Sequence, residues 1–260
     1  MTARPDAAFL HRLADLADRE TLSRFRQPLA IESKSAPGQE VDPVTEADRR
    51  AESVMRDLIS AEYPDHAILG EEFGASGAGP AQWVIDPIDG TKPYLCGIPV
   101  WGTLIGLVED GVATMGMMSQ PVTCERFWAD HGRAWHRSPR GVGRLKVSTR
   151  TDLSCAILHT TSPDQFPEDR KARFECLRRA VRFTRYGGEC YAFAMVAAGC
   201  IDICVEPLLQ PYDIVPIIPI VEGAGGVVTT FDRGRAERGG AIVVAATTEL
   251  LEEALRILNA

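Results

Sequence analysis

The sequence lacks the features that mark membrane, secreted and nucleic-acid-binding proteins. No apolar run reaches about 18 residues, the length that a membrane helix needs. Its first residues contain no apolar stretch of the kind found in secretory signals. Lys and Arg number 28 against 36 Asp and Glu, and a net charge of −8 argues against binding nucleic acid through clustered cations. We therefore expect a cytoplasmic protein with neither a nucleic-acid nor a membrane partner.

Cysteine and histidine also fail to form the common metal or redox motifs. The seven cysteines are an odd number and include no C-x-x-C pair, so reduced thiols are expected rather than a disulfide framework. The five histidines show no H-x-x-x-H pattern, which argues against a zinc hydrolase. Ile201, Ile203 and Val205 lie next to Cys200 and Cys204, and this apolar alternation favours core cysteines on a buried strand over a soft-metal site.

What the chain does contain is an ordinary globular composition, with 45% hydrophobic and 25% charged residues. Its 260 residues allow one large or two small domains. Apolar spacing predicts helices over 9–22 and 45–61, then short strands and a β-hairpin, whereas strands and helices alternate from about 153 onward. We predict an α/β protein with an α+β half over 1–148 and a layered α/β half over 149–260.

Glycine and proline make further local predictions. The turn-rich stretch 35–40 is expected to be a loop or loose hairpin, and 74–80 a surface loop. Pro87 is expected to end the strand that begins near 82. One helix is predicted over 213–222, and Pro219 should kink it unless the helix begins late.

Acidic residues stand at chain reversals in three separate segments, at Glu71, at Asp86 and Asp89, and at Asp213. Asp86 and Asp89 are three residues apart across a proline turn, with the carbonyl of Ile88 between them. Such oxygen atoms can bind a hard cation such as Mg²⁺. The alternative is that these are turn and capping residues, with Asp89 or Asp213 at the start of a helix.

Four sequence blocks resemble a known family. Three of them resemble the signature motifs of the inositol monophosphatase-like, Mg²⁺-dependent, lithium-sensitive phosphatases. They are Glu71, the block W-V-I-D-P-I-D-G-T at 83–91, and Tyr-Asp at 212–213 followed by E-G-A-G-G at 222–226. D-P-V-T-E-A-D at 42–48 resembles another block of the same family. The resemblance implies an αβαβα sandwich of the sugar-phosphatase type, two or three Mg²⁺ ions per site and a homodimer.

The resemblance also implies the roles of individual residues. The metal ligands would be Glu71, Asp86, Ile88 through its carbonyl, Asp89 and Asp213. Thr91, Asp48 and Glu71 would be catalytic, with the Thr91 hydroxyl relaying a proton from water to Asp48. Backbone N–H groups of Gly90 and Thr91 would hold phosphate oxygens. For Asp48 the alternative is a first-turn acid that favours the helix dipole.

The alcohol that carries the phosphate is predicted from the second half of the chain. R-Y-G-G-E-C-Y-A-F at 185–193 resembles a block of the histidinol-phosphate phosphatase branch, as does G-I-P-V-W-G-T-L-I at 97–105. The implied substrate residues are Gly90, Thr91, Arg185, Gly188, Glu189, Glu206 and Asp213. Glu189 and Glu206 could pair with the ammonium and imidazole of histidinol phosphate.

Alternatives remain for these residues and for the function. Glu206 could be a strand-end surface acid, Glu189 a helix N-terminal acid, and Arg185 a structural ion pair or a contact to a dimer partner. The leading hypothesis is a histidinol-phosphatase of histidine biosynthesis. The alternatives are a phosphatase for inositol-1-phosphate or another small sugar phosphate, and a regulatory binding protein that keeps the fold without catalysis.

Overall fold

The computed structural model describes residues 4–34 and 43–260, so the predicted loop at 35–40 lies outside the described residues. The helices are α1 (Ala7–Arg24), α2 (Glu46–Glu62), α3 (Thr91–Leu95), α4 (Glu168–Ala180), α5 (Glu189–Ala197), α6 (Pro211–Ile214), α7 (Ile217–Gly223) and α8 (Thr248–Leu258). The first eight strands are β1 (Glu32–Ser33), β2 (Pro43–Val44), β3 (Ala67–Gly70), β4 (Gly74–Ser76), β5 (Ala81–Asp89), β6 (Gly102–Glu109), β7 (Val112–Gln120) and β8 (Glu125–Asp130). The others are β9 (Arg133–Ser138), β10 (Gly141–Arg144), β11 (Ile157–Thr160), β12 (Phe183–Tyr186), β13 (Ile203–Leu209), β14 (Val227–Thr230) and β15 (Gly240–Ala245).

These elements stack in five layers. Helices α1 and α2 cover one face of an eight-stranded sheet, whose strand order is β10-β9-β8-β7-β6-β5-β3-β4. Helices α5 and α7 lie between this sheet and a five-stranded sheet of order β12-β11-β13-β15-β14. Helices α4 and α8 cover the outer face of the second sheet. The layers form an αβαβα sandwich and confirm the predicted fold class.

The parallel pairing of β3 with β5 determines where two of the predicted ligands emerge. Gly70 at the end of β3 lies opposite Ile85 of β5, and the neighbouring strand pairs of this sheet run antiparallel. Because the two strands run in the same direction, Glu71, the residue after β3, lies beside Asp86 of β5. The prediction that both strands deliver carboxylates to one edge is confirmed.

The predicted helix start at Thr45 is also confirmed. The Thr45 side chain accepts a hydrogen bond from the helix backbone, and the Asp48 carboxylate accepts one from the Thr45 N–H, which makes a capping box. The buried face of α2, which includes Ala51, Met55 and Ile59, packs against α1 and β5.

The prediction that Pro87 ends its strand is wrong. Strand β5 continues to Asp89, with a shift in register against β6 between Asp86 and Asp89. A bulge tolerates proline, because the residues displaced from the ladder need not donate a hydrogen bond to the neighbouring strand. Because of the bulge, the side chains of Asp86 and Asp89 do not follow the regular alternation between the two faces of the sheet.

Three further local predictions need correction. The stretch 74–80 is not all loop, because β4 pairs antiparallel with β3 at the sheet edge. Residues 213–222 form two helices rather than one, and Pro219 is tolerated because α7 begins late, at Ile217. Cys204 is buried on β13 as predicted, but Cys200 is exposed in the turn after α5.

The two halves of the sequence share one apolar core. Each sheet draws its strands from one side of residue 148, whereas α5 and α7 from the second half pack against β7 of the first. The middle cluster joins Leu104 and Phe127 of the large sheet to Phe193 and Ile217 of these helices. The division into domains at 1–148 and 149–260 therefore stays a prediction. Among the described residues, no helix is both long and apolar enough to cross a membrane.

Two glycines allow the α6–α7 connection to approach the large sheet. Gly106 and Gly116 lie opposite each other on β6 and β7. A Cβ atom on Gly116 would lie 1.9 Å from the carbonyl oxygen of Pro216, and one on Gly106 would lie 2.9 Å from a methyl group of Val215. The close approach of α6, which carries Asp213, therefore requires these glycines.

We expect Gly116→Ala to lower the free energy of unfolding by about 2 kcal/mol, the usual scale for overpacking a core. The Pro216 carbonyl is backbone and cannot rotate away. Gly143→Ala on β10 is the matched control, because a Cβ there meets no atom within 4 Å. Urea unfolding measures both. Equal stability of the two variants would contradict the close packing described here.

Candidate active site

A cavity of about 200 Å³ opens where the β5 bulge, α3, α6 and the start of α5 meet. Eight of the residues predicted from the sequence line it: Glu71, Asp86, Ile88, Asp89, Gly90, Thr91, Glu189 and Asp213. The fold thus brings together acids from both halves of the chain, up to 142 positions apart in sequence.

Three of these acids form a tight cluster. Asp86, Asp89 and Asp213 offer carboxylate oxygens that all lie within 4.8 Å of one another. Each carboxylate is also oriented by a backbone N–H. Asp86 accepts from Ile88 at 3.0 Å, Asp89 from Cys190 at 2.7 Å, and Asp213 from Gln210 at 2.7 Å. Only one oxygen of each carboxylate is used in these bonds, so the other can bind a ligand.

The alternative capping roles are partly right. Asp89 does not cap α3, whose N-cap is Gly90 in a left-handed conformation at φ 91°. It accepts instead from the first turn of α5, in the other half of the chain. Asp213 is the third residue of α6 rather than its N-cap, and it bonds to the N–H of the true N-cap, Gln210. These structural bonds coexist with the cluster.

The electrostatics of the cluster favour a bound cation. Burial raises the pKa of Asp86 well above its usual value, and repulsion from Glu71, Asp89 and Asp213 adds to the effect. Burial likewise raises the pKa of Asp89 to about 6 and that of Asp213 well above normal. Hard oxygen donors that repel one another in a buried cavity are the donor set that a divalent cation such as Mg²⁺ stabilises. The residues therefore fit the metal that the sequence predicted.

Glu71 lies beside Asp86 and is paired with a lysine that the sequence analysis missed. The ammonium of Lys34 donates to Glu71 at 2.8 Å and to Glu72 at 2.6 Å. Lys34 lies 37 residues before Glu71. No motif near Lys34 indicates this contact, because it depends on the placement of β1 and β2.

Thr91 and Asp48 meet as predicted. The Thr91 hydroxyl lies 3.4 Å from Asp48 Oδ1 and 3.2 Å from the carbonyl oxygen of Ile88. The other oxygen of Asp48 accepts from the Thr45 hydroxyl at 2.6 Å and from the Thr45 N–H. Asp48 is buried, and burial raises its pKa. The capping role and the contact with Thr91 are therefore both present, on different oxygens of one carboxylate.

The predicted substrate residues of the second half do not all reach the cavity. Glu189 lines it, and burial, with repulsion from Asp89, raises the pKa of Glu189 to about 7. Its φ of 46° lies in the left-handed region, which is uncommon for a residue other than glycine. Gly188 packs on the ring of His159, while Arg185 is exposed on the edge strand β12 and does not line the cavity.

Glu206 is buried, so the alternative that it is a surface acid at a strand end is wrong. Its carboxylate accepts from the Thr161 N–H at 2.7 Å and lies 3.4 Å from the Thr160 hydroxyl. Burial raises its pKa to about 8. Thr161 itself lines the cavity, so Glu206 lies behind the wall and Thr161 stands between. Thr161, Gln165 and Lys92 line the cavity but were not predicted from the sequence. No motif contains Thr161 or Gln165, whereas Lys92 directly follows the motif residue Thr91.

Comparison with known proteins shows similarity over the whole chain. The sequence model of the inositol monophosphatase family matches residues 3–260. The chain is 40% identical to a histidinol-phosphatase of Streptomyces coelicolor over 98% of this chain and 97% of that protein. It is 39% identical to a histidinol-phosphatase of Mycobacterium tuberculosis over 95% of each. The solved structure of an inositol monophosphatase from Zymomonas mobilis matches with a TM-score of 0.85 at 34% identity, covering 97% of both chains.

We expect Asp89→Asn to stabilise the metal-free protein by about 3 kcal/mol, because the pKa of Asp89 is raised by about two units and one unit corresponds to about 1.4 kcal/mol. The Asn oxygen can still accept from Cys190. A carboxyl group whose pKa is raised on folding loses stability as pH rises from its unfolded pKa, about 4, to its folded value, about 6. The advantage of the variant should therefore grow over this window and stay constant above it.

Thermal unfolding in a chelator between pH 4 and 8 measures this difference. Asp57→Asn, at an exposed position of α2, is the matched control and should show no such trend. A pH-independent difference, or a less stable Asp89→Asn at pH 8, would show that repulsion does not destabilise the metal-free site.

Proposed function

Because this chain belongs to the inositol monophosphatase family and is a phosphoric monoester hydrolase, we propose that it hydrolyses L-histidinol phosphate to L-histidinol and phosphate with Mg²⁺. The observation that carries the reaction type is the cluster of buried Asp86 and half-buried Asp89 and Asp213 beside the Thr91–Asp48 pair. The names of the two histidinol-phosphatases, 40% and 39% identical to this chain, support the choice of alcohol. A homodimer and a cytoplasmic location stay predictions of the sequence.

In this proposal Glu71, Asp86, Asp89, Asp213 and the carbonyl of Ile88 hold two or three Mg²⁺ ions. Four carboxylates carry a charge of −4, so two ions neutralise them and three leave about +2, which matches a phosphate monoester of nearly −2. Bound Mg²⁺ would supply a water of lowered pKa and would offset the charge of the phosphate. The acidic site would thus accept an acidic substrate.

The side chains of this protein would handle the proton. The Thr91 hydroxyl is a weak base alone, but it can take a proton from water while passing its own to Asp48, 3.4 Å away. Burial, which raises the pKa of Asp48, makes that carboxylate a better acceptor. The N–H groups of Gly90 and Thr91, at the start of α3, would orient the phosphate oxygens.

The alcohol would be recognised at the wall formed by α5. Glu189 offers a half-buried carboxylate at the edge of the cavity, and burial and repulsion from Asp89 raise its pKa. An ammonium group on the substrate would stabilise its charged form, and histidinol phosphate carries such a group whereas inositol-1-phosphate does not. Glu206 would not contact the alcohol directly, and its influence would pass through its hydrogen bond to the Thr161 N–H.

Inositol-1-phosphate is the second candidate substrate, favoured by the match to the Zymomonas mobilis inositol monophosphatase over 97% of the chain. The metal cluster does not discriminate between alcohols, because its contacts are to the phosphate. The substrates differ instead in the charge that they would place near Glu189.

We expect Mg²⁺-dependent phosphate release that is at least about tenfold faster in kcat/KM for histidinol phosphate than for inositol-1-phosphate, since one charge-assisted bond contributes about 1.5–3 kcal/mol. A panel of phosphate monoesters, assayed with Mg²⁺ and with chelator, measures this ratio. The Asp89→Asn variant should be inactive and serves as the blank. Comparable turnover of the two phosphates would refute the histidinol-phosphate assignment, and undiminished release in chelator would refute the metal requirement.

We expect Glu189→Gln to raise the KM for histidinol phosphate about tenfold, because the amide cannot pair with an ammonium. The KM for inositol-1-phosphate should change by less than about twofold on the same physical argument. Glu168→Gln is the matched control, since Glu168 is exposed on α4. An equal loss for both substrates would mean that Glu189 shapes the cavity without recognising the amine.

A further inference from the structure

A second buried acid lies on α2, one helical turn after Asp48. The Glu52 side chain has no solvent exposure, and it points from α2 toward the turn that follows β3. Residues four apart on a helix share a face, so one helix presents Asp48 to Thr91 and Glu52 to the segment that contains Glu71. Glu52 is outside the cavity and has no part in the mechanism proposed above.

Glu52 binds the two backbone N–H groups directly after Glu71. Its Oε2 accepts from the Glu72 N–H at 2.7 Å, and its Oε1 accepts from the Phe73 N–H at 3.1 Å. The Glu71 N–H itself donates to the carbonyl of Ile85 on β5 at 3.2 Å. Three consecutive amides are therefore held, the first by the sheet and the next two by one carboxylate.

Two further contacts fix this carboxylate. Arg56, one turn later on α2, donates to Glu52 Oε1 at 2.7 Å and reaches Ser76 Oγ at 2.9 Å and the carbonyl of Gly74. Gly70 leaves the necessary space, because a Cβ atom there would lie 2.1 Å from Glu52 Oε1. A buried carboxylate requires such partners, so this arrangement is stable only when the turn adopts this conformation.

We infer that Glu52 is a positioning residue for the metal site: it fixes the backbone of the 71–73 turn and thereby aims the Glu71 carboxylate at Asp86. The inference rests on the proposed function, in which Glu71 is a metal ligand. Groups that orient a ligand from outside the metal's own shell typically change metal affinity by about 10–100-fold when removed.

The test is Mg²⁺ binding to the metal-free, full-length protein by titration calorimetry, which needs no activity. We expect Glu52→Gln to raise the Mg²⁺ dissociation constant about tenfold, because the amide must direct an NH₂ group at a backbone N–H. Glu62→Gln is the matched control, since Glu62 lies on the same helix and pairs with Arg12 at the surface. Its dissociation constant should equal that of the unsubstituted protein.

A double-mutant cycle separates positioning of Glu71 from a general loss of structure. Glu71→Gln should weaken Mg²⁺ binding, and adding Glu52→Gln to it should weaken binding by no more than about twofold further. Wild-type affinity in Glu52→Gln, or a full second loss in the double variant, would overturn the inference. Wild-type affinity in Glu71→Gln would instead overturn the assignment of Glu71 as a metal ligand, on which the inference rests.

Circular dichroism establishes whether Glu52→Gln folds. If it does not, Arg56→Gln tests the same contact, because it leaves the carboxylate in place and removes the cation that orients it. A rise of about threefold or more in the Mg²⁺ dissociation constant of Arg56→Gln supports the inference, and unchanged affinity in that folded variant contradicts it.

Discussion

Repulsion among closely spaced carboxylates is the constraint on which the rest of this structure depends. Asp86, Asp89 and Asp213 lie within 4.8 Å of one another, and Glu71 adds to the negative field. Like charges at about 4 Å repel by about 4 kcal/mol at an effective dielectric constant near 20, so such a cluster persists only if the fold imposes it. The surrounding elements are arranged to do so.

Different features of the fold position the individual acids. The bulge of β5 turns out Asp86 and Asp89, the parallel pairing of β3 with β5 brings Glu71 beside them, and the glycines of β6 and β7 let α6 bring Asp213 close. The Asp89 carboxylate accepts from the first turn of α5, so the same group that faces the cavity also joins the two halves of the chain. Opening the interface between the halves would therefore disturb the site directly.

The same arrangement separates two tasks. In the proposed function, the acids of the β5 bulge and α6 would hold the cations and the phosphate, whereas Glu189 at the start of α5 would border the space for the alcohol. These groups come from different layers of the sandwich. On this proposal the alcohol site could differ between family members while the phosphate site stays the same, which is consistent with relatives that carry different substrate names.

Much of the fold could be predicted from the sequence because the responsible signals are local, whereas the convergence of Asp213 with Asp86 and Asp89 was predicted only from the family resemblance. The capping box at Thr45, the apolar periods of α1 and α2 and the block around Asp86 and Asp89 depend on neighbouring residues. Tertiary structure decided the rest, because those features depend on approach between distant segments. They include the continuation of β5 through Pro87, the burial of Glu206 behind Thr161, the exposure of Arg185, and the bonds from Glu52 to the turn after Glu71. A residue's type determines which bonds its side chain can make, but only the packed chain determines which partner comes within 3 Å.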